Sequence, residues 1–172
     1  MSNEKILHSE IDIKDVPRTV KREWISWIRF ILIIVILYGA IHYTIGIKIV
    51  SGDSMNPTIQ DRDIVVVSKL FFTPERGDII VVKDPEGFDI VKRVIGLPND
   101  HVRIKDGIVY INQQVLDEPY IIGQSMDIDE VVVGTDSYFI MGDNRTPGES
   151  LDSRDPSIGT ISKEQIVGEK LF

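Results

Sequence analysis

The 172-residue sequence predicts a mostly β domain behind a single transmembrane helix. Three observations carry that prediction. One apolar run, Phe30 to Ile47, is long enough to cross a bilayer. After it, apolar residues come in short β-branched stretches separated by Gly, Pro, Asn and Asp, and no long helical periodicity follows. At roughly 100 to 150 residues per domain, the chain has room for the helix and one further domain.

Residues 1–23 mix acidic and basic side chains with no apolar stripe and read as a short, disordered, cytoplasmic polar tail. The anchor is read over residues 24–48. Its uncharged centre of 18 residues spans roughly 27 Å at about 1.5 Å rise per residue, close to the ~30 Å hydrocarbon thickness. Apolar residues surround this helix, which separates it from the one-striped helix of a soluble core. A cleaved secretory leader needs a shorter apolar centre and an A-x-A-like site. His42-Tyr43-Thr44-Ile45-Gly46-Ile47-Lys48 offers none, so the anchor is read as uncleaved. Lys21, Arg22 and Arg29 flank its start and only Lys48 its end. The positive-inside rule then puts the N-terminus in the cytoplasm and residues 49–172 outside, a single-pass arrangement in the cell membrane. Trp24, Trp27 and Tyr43 suit interfacial positions, and the Arg29 stem can reach the headgroups.

Within residues 49–172 strands are predicted at Ile64–Ser68, Ile79–Lys83 and Ile90–Leu97, each bounded by turn residues such as Pro85-Glu86-Gly87 and Pro98-Asn99-Asp100. Val102 to Tyr110 alternates around Asp106-Gly107, a strong hairpin signal because the tight turn requires positive φ. A second turn is read at Asn112 to Gln114, with further strands at Val131–Val133, Tyr138–Met141 and Ile166–Phe172. Residues from about 98 to 137 form a hairpin-containing insertion in this reading.

Composition narrows the function. The net charge of −8 argues against a nucleic-acid partner, since phosphate recognition calls for a basic face. Cysteine is absent, which rules out a disulfide framework, a thiol nucleophile and a thiolate metal site. The three histidines, His8, His42 and His101, are scattered, so neither a metal site nor a histidine-based triad is expected. No cofactor is expected.

Ser54 lies just past the apolar run, in Ser51-Gly52-Asp53-Ser54-Met55-Asn56-Pro57-Thr58. Alone, such a serine is ordinarily a turn residue or a helix cap. Lys92 alone would be a surface lysine, although Ile90, Val91, Val94 and Ile95 surround it with apolar side chains that permit burial. Met55 suits packing better than chemistry. What changes the reading is several segments together. The serine stretch is followed by Arg76-Gly77-Asp78-Ile79-Ile80-Val81-Val82, by Lys92-Arg93-Val94-Ile95-Gly96-Leu97-Pro98, by Gly142-Asp143-Asn144-Arg145 and by Ser150-Leu151-Asp152-Ser153-Arg154. In content, order and position behind an anchor these resemble the boxes of bacterial type I signal peptidases, over residues 28–172. The single anchor is similar to the short Gram-positive form.

The resemblance implies a signal-peptidase-like β catalytic domain and a membrane-anchored serine endopeptidase that removes N-terminal signal peptides from exported preproteins. Its partners would be those signal peptides and the lipid bilayer, with secretion machinery nearby. Ser54 would be the nucleophile and Lys92 the general base. An ordinary lysine has a pKa near 10.4, so neutrality at pH 7 requires roughly 4.6 kcal/mol of preference against the charged form. Ser150 matches the serine that orients the base. Asp143, Arg145, Asp152 and Arg93 match charged positions that hold the site together. Backbone N–H groups of Ser54 and Gly52 would stabilise the oxyanion, since Gly52 lacks the hydroxyl that the longer family form carries there. The substrate would lie extended between Ile49, Val50 and Ser51 on one side and Asp89, Ile90 and Val91 on the other, with small residues first and third before the cut. Thr146, Pro147, Gly148 and Glu149 lengthen the usual spacing before Ser150. Two alternatives stay open: a Ser-Lys protease that cleaves itself or a regulator, and a catalytically inactive envelope or assembly protein of the same fold.

Overall fold

The computed structural model describes residues 18–70 and 72–171, and side chains from Glu23 onward. It divides into two compact units, residues 1–41 and 42–172. The first holds most of helix α1 (Arg18–Thr44), whose Glu23–Thr44 portion has the length and apolar composition of a membrane span and contains no buried residue. At 22 residues that portion is roughly 33 Å long at about 1.5 Å per residue. The polar tail expected over residues 1–23 lies outside the described residues up to 17. From Arg18 the chain is helical.

The helix stops four residues short of the anchor end expected at Lys48. Ile45–Ile49 is strand β1 instead. Ile45, Gly46 and Ile47 are as apolar as the helix before them, so hydropathy runs through the junction unchanged; the strand is set by pairing, Ile45 opposite Ser68 through to Ile49 opposite Ile64.

Ten further strands complete a mostly β unit: β2 (Ile64–Ser68), β3 (Ile79–Lys83), β4 (Asp89–Gly96), β5 (His101–Lys105), β6 (Ile108–Ile111), β7 (Gln114–Val115), β8 (Ile128–Val132), β9 (Ser137–Met141), β10 (Ile161–Ser162) and β11 (Ile166–Lys170). One antiparallel sheet has the order β1-β2-β11-β3-β4-β9-β10, and a second has the order β7-β6-β5-β8. The second sheet falls inside the expected insertion. Its β5–β6 hairpin turns on Asp106 and Gly107, both at positive φ, as does the Asn112-Gln113 turn before β7. The expected strand at Val131–Val133 begins three residues earlier and ends at Val132, the last strand ends at Lys170 instead of Phe172, and the two-residue β10 has no sequence signal of its own.

Alternation explains the core. In β3, Ile79 and Val81 join Val50, Met55, Ile59, Val65 and Val67 on one face, while Ile80 and Val82 join Val94, Tyr138, Ile140 and Ile161 on the other. Phe139 and Met141 of β9, with Ile95 of β4, close a third cluster against Val102, Ile104, Val109 and Ile111 of the second sheet. The strands that carry or flank Lys92 are therefore buried on both faces, and the loop holding Ser54 rests on the first cluster through Met55, which is fully buried.

Candidate active site

Lys92 stands opposite Ile80 in the β3–β4 register, on the strand face that also carries Ile90 and Val94. Only 4% of it is exposed. Its Nζ donates to Ser54 Oγ at 2.8 Å and to the Val91 carbonyl at 3.0 Å. Burial pushes the Lys92 ammonium down from 10.5 to about 8; Asp152 pulls it up, Arg154 pushes it down further and Asp143 pulls it up. A base with a pKa of about 8 is neutral in roughly a tenth of molecules at pH 7. Ser54 is half-buried, so its hydroxyl is reachable from solvent while the amine behind it is not.

The segment Gly142–Arg145 fixes the serine loop. Asn144 donates its N–H to the Ser54 carbonyl at 3.0 Å and its side-chain amide to the Asp53 carbonyl at 3.3 Å. Asp143, fully buried, accepts from Arg93 Nε at 2.8 Å and Nη2 at 2.6 Å, and from the Thr58 hydroxyl at 2.5 Å. Arg93 also donates to the Gly77 carbonyl at 2.7 Å and lies 3.9 Å over the Tyr120 ring. Arg145 is fully buried, bonds the Gly142 carbonyl at 2.7 Å and pairs with Glu118. Among the described residues, every buried side-chain nitrogen and oxygen has a hydrogen-bond partner, which is what allows so many charges to be carried inside.

Ser150 is turned to Asp152, donating its hydroxyl to Oδ2 at 2.6 Å. Asp152 also accepts the Gly142 N–H at 2.9 Å and Arg154 Nε and Nη2 at 2.8 Å each. Arg154 and the Ser150 and Gly142 donors hold its carboxyl below the usual carboxylate range despite burial. Ser150 thus reaches the region of Lys92 through Asp152, with the hydroxyl itself bonded to the carboxylate. On the other side of Ser54, the Gly52 N–H donates to Asp61 Oδ1 at 2.9 Å. The Ser54 N–H has no acceptor among the described residues.

Ile49, Val50, Ser51, Asp89, Ile90 and Val91 line one cleft together with Lys48, Val81, Ser54 and Lys92, enclosing about 130 Å³. A larger hollow of about 580 Å³ lies beside the Thr146–Gly148 stretch, bounded by Ser150, Leu151 and Arg154. The smaller cleft contains both Ser54 and Lys92.

The family model for signal peptidase, peptidase S26, matches residues 22–172. The chain belongs to this signal peptidase family. Signal peptidase I S of Bacillus subtilis (strain 168) is 36% identical over 170 residues, covering 88% of this chain and 89% of the relative. Signal peptidase I T of the same strain is 34% identical over 188 residues, covering 100% of this chain and 94% of the relative. The crystal structure of a signal peptidase I from Enterococcus faecalis V583 superposes with a TM-score of 0.51 at 28% identity, covering 58% of this chain and 98% of that one. This signal peptidase family member shares with that structure a mostly β architecture.

Several participants escaped the sequence reading. Thr58, the last residue of the Ser51–Thr58 stretch, contacts Asp143, and Glu118 and Tyr120 reach Arg145 and Arg93 from irregular chain that carries no pattern. Arg154 had a visible signal, its position two residues after Asp152, and in this family member it closes the pair with that carboxylate.

Proposed function

We propose that this chain is a membrane-anchored serine endopeptidase that removes signal peptides from exported preproteins, with Ser54 as nucleophile and Lys92 as general base. The observation that carries the reading is the 2.8 Å contact between a buried lysine amine and a half-exposed serine hydroxyl at the end of a strand-lined cleft. Family membership supports the substrate class.

The neutral Lys92 amine takes the Ser54 proton as Oγ attacks the scissile carbonyl. Negative charge develops on the carbonyl oxygen, toward the Ser54 N–H. The Lys92 ammonium then gives its proton to the leaving amine of the mature protein, leaving an acyl-enzyme on Ser54. Water attacks that ester with Lys92 again accepting the proton, the acyl–Oγ bond breaks as Lys92 returns that proton to Ser54, and the signal peptide departs with a free carboxylate. Burial serves both halves, because it lowers the pKa for the first transfer and keeps the resulting ammonium a strong acid for the second. Asp152 and Arg154 set the remaining field, and Arg93, Asp143 and Arg145 hold the loops.

The anchor is the apolar helix Glu23–Thr44, with the N-terminus inside and residues 49–172 outside, as its flanking charges favour. Ser54 follows Thr44 by ten residues, so the chain between them reaches at most about 35 Å, and cleavage takes place close to the bilayer surface. Preprotein cleavage in detergent tests the reading. Wild type should release the mature protein, and Ser54→Ala and Lys92→Met should each slow release by on the order of a thousandfold or more. Cleavage by Lys92→Met at the wild-type rate would refute the assigned base.

A further inference from the structure

The irregular chain between β7 and β8 lies against the segment that fixes the serine loop. Ile122 donates its N–H to the Asp143 carbonyl at 3.1 Å and accepts the Arg145 N–H at 2.7 Å, a short parallel bridge centred on Asn144. Two side chains of the same stretch reach the arginines beside it. Glu118 accepts from both Nη atoms of Arg145, from Nη1 at 3.2 Å, and the pair is almost wholly sheltered from solvent. Tyr120 donates its hydroxyl to Glu118 Oε1 at 3.3 Å and sets its ring against the Arg93 guanidinium, whose carbon lies 3.9 Å from the ring centroid.

We propose that Tyr120 is a positioning residue of the reaction, its ring keeping Arg93 aligned on Asp143 and thereby holding the nucleophile loop in place and the Asp143 charge masked from Lys92. The inference rests on the peptidase reading above and goes beyond it by naming a residue outside the recognised segments that tunes the base.

The guanidinium donates only within its own plane. In that plane Arg93 is fully engaged, with Nε and Nη2 on the two oxygens of Asp143 at 2.8 and 2.6 Å and Nη1 on the Gly77 carbonyl at 2.7 Å. Those bonds stay short and straight only while the plane keeps its tilt. The Tyr120 ring covers one face of it, which fixes the tilt and keeps water from a pair whose Arg93 side chain is 11% exposed and whose Asp143 is not exposed at all.

Asp143 acts on two cations. Arg93 holds it directly, and Lys92 feels its field: of the charges around the amine, Asp152 and Asp143 favour the ammonium and Arg154 opposes it. Loosening Arg93 leaves the Asp143 carboxylate less compensated, so more of its field falls on Lys92 and the ammonium becomes harder to deprotonate. The same loosening shifts the loop, because Asp143 also accepts from Thr58 at 2.5 Å and its neighbour Asn144 holds the Ser54 carbonyl at 3.0 Å. Burial and the nearby Glu118 carboxylate raise the Tyr120 phenol well above the usual tyrosine range, so the ring stays neutral where activity is read.

The test measures kcat and KM of the full-length protein in detergent against one preprotein, from about pH 6 to 10. Tyr120→Phe, which keeps the ring, should retain the wild-type acidic limb. Tyr120→Leu should lower kcat at pH 7 by roughly tenfold or more, with KM within about twofold of wild type. It should also move the limb up by about half a pH unit or more, so that raising the pH recovers part of the rate. Tyr120→Met supplies a second side chain without a ring if Tyr120→Leu does not melt cooperatively. A limb that stays in place in the ringless variant, whatever its Tm, overturns the inference, because a merely structural loss removes active protein without moving the pH at which Lys92 releases its proton. An equal displacement in Tyr120→Phe overturns it as well, since the ring would then not be the cause. Absence of preprotein cleavage by wild type would instead overturn the peptidase reading, and the inference with it.

Discussion

Ser54 and Lys92 stand 38 positions apart in sequence and meet at 2.8 Å, because Asn144 ties down the serine loop from one side while β4 carries the lysine between Ile90 and Val94. The meeting places an ionisable group where its charge is poorly solvated, and the consequences are measurable.

The first concerns pH. With the Lys92 ammonium pushed down to about 8, kcat/KM should rise with pH through an acidic limb centred near that value. Arg154 lowers the pKa of Lys92 and is paired with Asp152, which raises it. Arg154→Ala removes the first influence and leaves Asp152 freer to favour the ammonium, so both changes act in one direction. The limb should move to higher pH, with activity lost at pH 7 and regained in alkali. A pH–rate profile of the variant beside wild type checks this, and a limb that stays in place or moves down would contradict the electrostatic account.

The second concerns stability. Lys92 binds its proton less tightly when folded than when unfolded, so its stabilising state is the neutral one. Its penalty is absent above the unfolded value of 10.5, grows as pH falls toward about 8 and is constant below that. A shift of this size in a group only 4% exposed corresponds to about 3 kcal/mol. Lys92→Met should accordingly melt at higher temperature than wild type at pH 7 by several degrees, and the difference should shrink as pH rises past 10. Thermal denaturation across that range checks it. Equal Tm values at pH 7 would show that the lost contacts to Ser54 and Val91 offset the relief.

How much of this was visible in the chain itself varies from residue to residue. Ile64–Ser68 and Ile79–Lys83 are strands at the bounds their β-branched runs suggest, since turn residues stand at both ends. The end of the helix at Thr44 was not visible, because Ile45, Gly46 and Ile47 continue the apolar composition and only pairing with β2 distinguishes them. The convergence of Ser54 and Lys92 was legible through the ordered boxes, and no local pattern around either residue would have suggested it. The state of Gly52 was hidden for another reason. Its N–H is taken by Asp61, nine residues on, and that bond depends on the path of the intervening loop. Glu118 and Tyr120 lie in irregular chain and act on arginines more than twenty residues away, so neither periodicity nor spacing points to them.

The third concerns Gly142. Its backbone is not in the left-handed region, so alanine would be free of conformational strain there, and the obstacle is space. A Cβ at this position would stand 2.4 Å from the Ser54 carbonyl oxygen, 2.4 Å from Ser150 Oγ and 2.9 Å from Ser150 Cβ. The Ser150 hydroxyl can rotate away at the expense of its bond to Asp152. The Ser54 carbonyl cannot, because it is backbone and is held by Asn144 N–H at 3.0 Å. Gly142→Ala must therefore move the nucleophile loop relative to β4. Overpacking of this kind costs about 1 to 3 kcal/mol of stability. The larger effect falls on the reaction, since a displacement of about 1 Å at a reacting atom can cost on the order of a hundredfold in rate. The expected signature is a fall in kcat with KM little changed, accompanied by a modest loss of Tm. Gly134→Ala serves as the comparison, because its Cβ would meet only the Ser137 side chain, at 3.3 Å and beyond, and activity should survive it. A Gly142→Ala protein that keeps the wild-type kcat would mean that the serine loop tolerates movement against Lys92.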